Sequence, residues 1–283
     1  MSEPHIAPWS ESRPMHPYTG VLAVDAKDFT RLPAIAHPQV SRLIPALVDD
    51  ALAAAGLGEL TQAKRFAAHT GDGIAFGFAT ALLPFIVWPF VDRLESGLSA
   101  YNANSDSRPG LRLRVSVHVG PLPDSGRSGD GEGTARNDTH RLLDSEPVKE
   151  ALARSSAAIT SVAAIFSQRV YDDVILGGYA GLHPDLCAPV EAAVPGKPFR
   201  QSAWLYVPRP SGDLLGGGLS HSGDDAPGPE GDGPAVSTTS YGTQTVGNGI
   251  AVMGSVSGGL SYQQGVPASS AHTATPPAVA APR

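Results

Sequence analysis

Residues 65–78 read RFAAHTGDGIAFGF. Two short runs rich in apolar and aromatic residues, 65–69 and 73–78, flank Thr70-Gly71-Asp72, and the Asp-Gly step at that joint is a strong hairpin signal. Around this hairpin the chain alternates between strand-like and helix-like segments. Upstream, residues 20–25 (GVLAVD) read as a short buried strand. Residues 39–57 then place Val40, Leu43, Ile44, Leu47, Val48, Ala51 and Leu52 on one face of an amphipathic helix. Downstream, residues 83–101 read as a second helix with Pro84 in its first turn. Residues 111–119 alternate cleanly, with Leu111, Leu113, Val115, Val117 and Val119 on one side and Arg112, Arg114, Ser116 and His118 on the other. Strand–helix–strand–strand–helix–strand is the ferredoxin-like order, βαββαβ, in an α+β fold. A helix over residues 135–155, bent near Pro147, and strands at 159–165 and 203–207 extend it.

Outside this span the character of the chain changes. Residues 1–17 carry Pro4, Pro8, Pro14 and Pro17 without periodicity and read as a flexible leader. The alternating part runs from Tyr18 to Pro208. Residues 209–283 turn to Gly, Ser, Pro, Thr and Ala, and after Asp232 the only charged side chain is Arg283. Such a tail is expected to be mostly disordered, because it holds too little apolar surface to offset the entropy of ordering. Within it, residues 246–260 mix β-formers with glycine and carry no charge, a pattern for plain tail or for a short strand that docks on a protein partner.

Composition narrows the function classes. Hydrophobic residues make up 41% of the 283, enough for a core, and the formal net charge of −7 argues against a nucleic-acid binder or a basic membrane anchor. A single cysteine, Cys187, excludes a disulfide framework and a Cys-based zinc site. The start lacks the basic and apolar regions of a signal peptide. The longest apolar stretch, residues 79–91, is interrupted by Pro84 and Pro89 and is too short to span a bilayer. The expected location is cytoplasmic.

Two constellations carry chemistry. A right-handed crossover makes the first two strands parallel, so the end of the first strand and the hairpin tip share one edge, bringing Asp25 and Asp72 together. Two carboxylates at one edge repel and raise each other's pKa. A pair of hard cations with oxygen ligands, such as Mg²⁺ bridging a triphosphate, gives a reason for them. Farther on, Asn137 and Arg141 lie four apart, hence on one helix face, where an amide and a guanidinium can orient a ribose and stabilise a phosphoryl group in transfer. Each residue also has a plainer reading. Asp25 can be a loop residue or cap, Asp72 turn chemistry, Asn137 an N-cap, and Arg141 a solvated charge paired with Asp144 or Glu146.

Four segments resemble motifs of the class III nucleotide cyclases. Val24-Asp25-Ala26-Lys27-Asp28-Phe29-Thr30 is similar to the first metal motif, and Thr70-Gly71-Asp72-Gly73 to the second. Residues 113–120 (LRVSVHVG) resemble the strand ending in His-x-Gly, and Asn137 with Arg141 falls on the Asn-x-x-x-Arg pair. They occur in the family's order over residues 18–208, and the NDTHRLLD of 137–144 resembles a group of actinobacterial cyclase-like proteins. The resemblance implies that Asp25 and Asp72 hold two Mg²⁺ or Mn²⁺ ions, that Asn137 positions the ribose of a nucleoside triphosphate and that Arg141 stabilises the transition state. It further implies a homodimer in which carboxylates from one protomer face the Asn/Arg pair of the other.

The purine-reading positions depart from the family. The Lys expected four residues before the second metal Asp is Ala68, followed by His69. The acceptor seven before the Asn falls on Asp130, in a glycine-rich loop, and the phosphate-binding Lys falls on Lys197. With Asp130 the only acceptor, the pattern points to weak selectivity favouring ATP or CTP over UTP. Pyrimidine cyclases of antiphage systems also depart from the purine code. The rival to an active cyclase is a cyclase-like module that binds a nucleotide or partner in a signalling or defence system without turnover.

Overall fold

The computed structural model describes residues 9–104, 110–216, 243–246 and 249–252. Contacts divide the chain into two units, Met1–Ser222 and Gly223–Arg283. In the first, the elements run β1 (Tyr18–Ala26), α1 (His37–Ala54), α2 (Leu60–Ala63), β2 (Arg65–His69), β3 (Gly73–Phe78), α3 (Leu83–Phe85), α4 (Val91–Ala103) and β4 (Leu113–Pro121). There follow α5 (Thr134–Asp144), α6 (Glu146–Arg154), β5 (Val162–Ser167), α7 (Gln168–Val170), β6 (Cys187–Ala193), β7 (Arg200–Tyr206) and α8 (Asp213–Gly216). In the second, Thr243–Val246 and Gly249–Val252 form an antiparallel hairpin, β8–β9. The expected disorder of the tail and most of residues 246–260 lie outside the described residues.

Seven strands form one sheet in the order β2-β3-β1-β4-β5-β7-β6. β1 pairs antiparallel with β3 and β4, and β2 antiparallel with β3, so β1 and β2 are parallel across β3, the ferredoxin-like arrangement. β5 adds in parallel beside β4, and the β6–β7 pair closes that side. β3 is buried at every position because both of its faces are covered. On one face Leu22, Val24, Phe76, Val115 and Val117 pack beneath α1 and α4 in the main core. On the other, Ala23 and Ala75 meet Leu143 of α5, and Ala163 and Ile165 meet Leu142 and Leu152 of α5 and α6. Each fully buried Leu, Val or Phe contributes about 1.5–3 kcal/mol.

Two expected helices are divided, both beside prolines. The second helix is interrupted at Trp88, which is extended (φ −154, ψ 130) before Pro89 because the pyrrolidine ring crowds the preceding residue out of the helical region. The helix expected over 135–155 ends at Ser145 (φ −68, ψ 154), and α6 restarts with Pro147 in its first turn, where a missing N–H costs nothing. β6 was not expected. Pro189 and the alanines around it have low strand propensity, and an edge strand tolerates them. Order also continues past Pro208, for Ser211 is buried and shares a hydrogen bond with Thr160 Oγ1 (2.7 Å).

Polar groups tie the layers. Glu95 of α4 is 1% exposed and accepts from the backbone N–H of Ser161 (3.0 Å) and Val162 (2.6 Å) and from Ser99 Oγ (2.8 Å). Arg112, the residue before β4, donates to the carbonyls of Thr160 (2.9 Å) and Leu152 (2.6 Å), closing the end of α6. Among the described residues no helix is long and apolar enough to cross a membrane.

Candidate functional site

The hairpin tip is held against the end of β1. Asp25 lies opposite Gly73 in the β1–β3 register, and the Ala26 N–H donates to the Asp72 carbonyl (2.8 Å). Gly73 is required there, since a Cβ on it would collide with the Val24 carbonyl. The turn itself is centred on Gly71-Asp72, with Gly71 at φ +87 and the Thr70 N–H bonded to the Gly73 carbonyl (3.1 Å). The Asp-Gly step is therefore the turn's exit, and Gly73 already belongs to β3. Ser41 of α1 bonds the Gly71 carbonyl and steadies the tip.

Asp25, Thr70, Asp72, His140, Leu143 and Asp144 share one cleft of about 200 Å³. α5 crosses this face of the sheet and contributes His140 and Asp144 one turn apart. Three carboxylates thus converge, and the counter-charge on Asp25 is Arg114 of β4. Its Nε and Nη2 grip Oδ1 (2.7 Å) and Oδ2 (2.5 Å), and both side chains are nearly buried. Desolvation pushes the Asp25 carboxyl up, to about 7, against the pull of Arg114, and Asp72 and Asp144 add to the rise. Burial, reinforced by Arg136, also lowers the His140 pKa. Among the described residues no set of three or more His, Cys, Asp and Glu side chains is placed to hold a metal by itself. Two carboxylates beside a hydroxyl are nevertheless the hard-oxygen donor set that suits Mg²⁺ or Mn²⁺ when substrate phosphates supply further ligands.

The second pair lies on the exposed side of α5 but outside this cleft. Asn137 is exposed, and its own N–H bonds to the Gly133 carbonyl (3.1 Å), so it lies inside the helix; the N-cap is Gly133. Arg141 is half-exposed and pairs with Asp138 (3.1 Å), not with Asp144 or Glu146, while Gln201 of β7 holds the other Asp138 oxygen (3.0 Å). The guanidinium carbon of Arg141 stands 5.7 Å from the centre of the Phe199 ring. Phe199 and the exposed Lys197 belong to the β6–β7 connection, which borders a cleft of about 470 Å³. The structure thus gathers Arg141 and the Lys197 turn on one side and Asp25 with Asp72 on another. Neither Asn137 nor Arg141 lines the cleft of the two aspartates.

The base-reading positions are also placed. Ala68 pairs with Ala75 and so faces α5, whereas His69 pairs with Ile74 and faces the opposite side, exposed. The Asp130 carboxylate is engaged within its own loop, accepting from the N–H groups of Ser125 (2.6 Å), Gly126 (2.6 Å) and Arg127 (3.0 Å) and from Ser125 Oγ (3.0 Å). Slight desolvation works against ionisation there, but the hydrogen bonds from Arg127, Ser125 and Gly126 outweigh it and hold the carboxyl below the usual range. With those oxygens engaged, the ATP-or-CTP expectation loses its acceptor. His118 has a buried Nδ1 without a hydrogen-bond partner among the described residues. Burial holds its pKa down.

Sequence reasoning missed Arg114, His140 and Asp144. For Arg114 the signal was present, since it alternates with the core residues of β4 and must face the α5 side. His140 and Asp144 stand one turn apart, but nothing in the sequence says which face of α5 meets the hairpin.

No family model matches the chain, and no curated protein matches its sequence. Among solved structures it is similar to the guanylyl cyclase Cya2, with a TM-score of 0.47 and 14% identity over 68% of this chain and 91% of the other. It is also similar to an adenylate/guanylate cyclase/hydrolase from Silicibacter pomeroyi (TM-score 0.46, 17% identity, 68% and 96% covered). A third is the adenylyl cyclase CyaB from P. aeruginosa (TM-score 0.41, 15% identity, 67% and 93% covered).

Proposed function

We propose that this chain is a nucleotide cyclase of the class III type, converting a nucleoside triphosphate to a 3′,5′-cyclic nucleotide and pyrophosphate at sites shared by two copies. The observation that carries the reading is the division of the motif residues. Asp25 and Asp72 meet in one cleft, while Asn137 and Arg141 stand outside it, and among the described residues the carboxylate paired with Arg141 is Asp138. A symmetric dimer that sets the first group of one copy against the second group of the other has two equivalent sites.

In that arrangement Asp25 and Asp72 would hold the divalent cations together with phosphate oxygens, and bound cations would supply positive charge that makes the 3′-hydroxyl more acidic and neutralises the departing pyrophosphate. Asn137 orients the ribose. O3′ gives its proton to solvent and forms a bond to the α-phosphorus as the bond from that phosphorus to the bridging oxygen breaks. Arg141 stabilises the charge that builds on the phosphoryl oxygens and Lys197 the outer phosphates. Arg114 already neutralises Asp25 within one chain, which favours a second reading, a nucleotide-binding module without turnover.

Mixing chains decides between them. Asp72→Ala and Arg141→Ala are each expected to be inactive with Mn²⁺ and any of the four triphosphates. Their mixture should regain part of the wild-type rate, because one site of the heterodimer is intact. Cyclic products are read by mass spectrometry. No product from wild type would leave the binding module, and no recovery on proven chain exchange would exclude the shared site.

A further inference from the structure

Arg136 is a charged side chain that the site described above does not use. It is the third residue of α5, immediately before Asn137, and is 8% exposed. Its Nη1 donates to the Phe66 carbonyl of edge strand β2 (2.9 Å). Among the described residues no carboxylate lies within ion-pair distance of it. Among the described residues its Nε and Nη2 have no hydrogen-bond partner, and neither is sealed from solvent. A guanidinium buried along its length without a counter-charge is costly, unless something electron-rich comes to its open edge.

The open edge has a definite shape. Nε–H and Nη2–H are the two parallel donors of a guanidinium, the same edge with which Arg114 holds both oxygens of Asp25. The bond to Phe66 fixes the plane of the group and leaves that edge for a ligand. The same bond sets the group between α5 and β2. Ala68 lies two residues farther along the strand, on the α5 side, and His140 stands one turn along the helix. The carboxylate cleft begins one turn farther along α5, at His140, and extends to Asp144.

We propose that Arg136 reads the nucleobase, selecting bases that present two adjacent acceptors. The O6/N7 edge of guanine and the O2/N3 edge of cytosine meet that condition. Adenine sets an amino donor beside N7, and uracil sets an N–H between its carbonyls. The assignment rests on the nucleotide reading above and names the specificity of that site. Asn137, the next residue, has the ribose role in that reading, so the base end of the nucleotide belongs beside Arg136 and the phosphates beside Arg141 and Lys197.

The test uses the full chain with Mn²⁺ and displacement of a fluorescent nucleotide by each of the four triphosphates and by inorganic tripolyphosphate. Wild type is expected to bind GTP and CTP about tenfold or more tighter than ATP and UTP, the lower range of discrimination by a bidentate arginine contact. Arg136→Gln and Arg136→Lys should both flatten this ranking and leave tripolyphosphate affinity within about twofold, since neither presents the two-donor edge. If Arg136→Gln melts early, the wild-type ranking and Arg136→Lys carry the decision. Tightest binding of ATP or UTP overturns the assignment, as does a ranking that survives both substitutions. An equal loss for tripolyphosphate and GTP makes Arg136 a phosphate contact and overturns it too. Binding of neither tripolyphosphate nor any nucleotide defeats the nucleotide reading itself, a result distinct from nucleotides that bind without preference.

Discussion

Replacing Arg114 with Gln removes the counter-charge from Asp25 and tests how the acidic cleft is held together. Two charge-assisted bonds are lost, of 2.7 and 2.5 Å, between side chains only 12% and 13% exposed. Where Asp25 is protonated, only ordinary hydrogen bonding is lost, about 1–2 kcal/mol. The pH-dependent part has a definite sign. The folded-state pKa of Asp25 lies above its usual 3.8, at about 7, so the stability contributed by its proton is complete at low pH and lost as pH rises through that value. Without Arg114 the folded pKa rises further. Above about pH 7 the variant therefore falls behind wild type by about 1.4 kcal/mol per pH unit until its own carboxyl ionises. At about pH 8.5 this adds about 2 kcal/mol, for a total of about 3–4 kcal/mol, in line with the known cost of breaking a buried ion pair. At about pH 5.5 the deficit should shrink to about 1–2 kcal/mol. Urea unfolding of both proteins at the two pH values measures it. In a domain of this size the larger deficit corresponds to a melting point lower by about 6–16 °C. A deficit that is absent, or equal at both pH values, would refute the claim that Arg114 neutralises a buried carboxylate.

Other expectations follow from single side chains. Divalent cations need the ionised carboxylate, so Mn²⁺-dependent nucleotide affinity should rise about tenfold from about pH 6 to about pH 8 as Asp25 loses its proton; isothermal titration at the two values checks this. Glu95→Ala leaves the buried N–H groups of Ser161 and Val162 without their acceptor and should cost about 3 kcal/mol or more in urea unfolding, with Glu95→Gln less severe. Gly73→Ala forces the hairpin away from β1 and should cost about 2 kcal/mol while weakening Mn²⁺-nucleotide binding, because Asp72 moves off Asp25. Cys187 is buried and its thiol is pushed up to about 12 by desolvation, so in native protein at about pH 8 it should resist alkylation that proceeds readily in urea.

Local periodicity and turn chemistry determined much of this fold from the sequence alone. The alternation over 111–119 placed the core side of β4 correctly, and the 3.6-residue pattern of Val40, Ile44, Val48 and Leu52 found the buried face of α1. The strand limits at 65–69 and 73–78 were legible because the turn residues between them are unambiguous. The meeting of Asp25 with Asp72 was legible too, since a right-handed crossover leaves one geometry for the two strand ends. Tertiary structure alone decided what surrounds them. Arg114 reaches Asp25 only because β4 pairs with β1 in the register that sets the two residues opposite each other. That α5 brings His140 and Asp144 to the hairpin cleft, and leaves Asn137 and Arg141 outside it, depends on how Leu142 and Leu143 seat on the sheet. The same holds for Asp130, whose Oδ2 accepts from N–H groups of its own loop and whose Oδ1 accepts from the Ser125 hydroxyl. Sequence spacing records which residues can share a face. The partner that each finds is set by packing between segments far apart in the chain, where register and helix rotation are chosen by burial of the whole core.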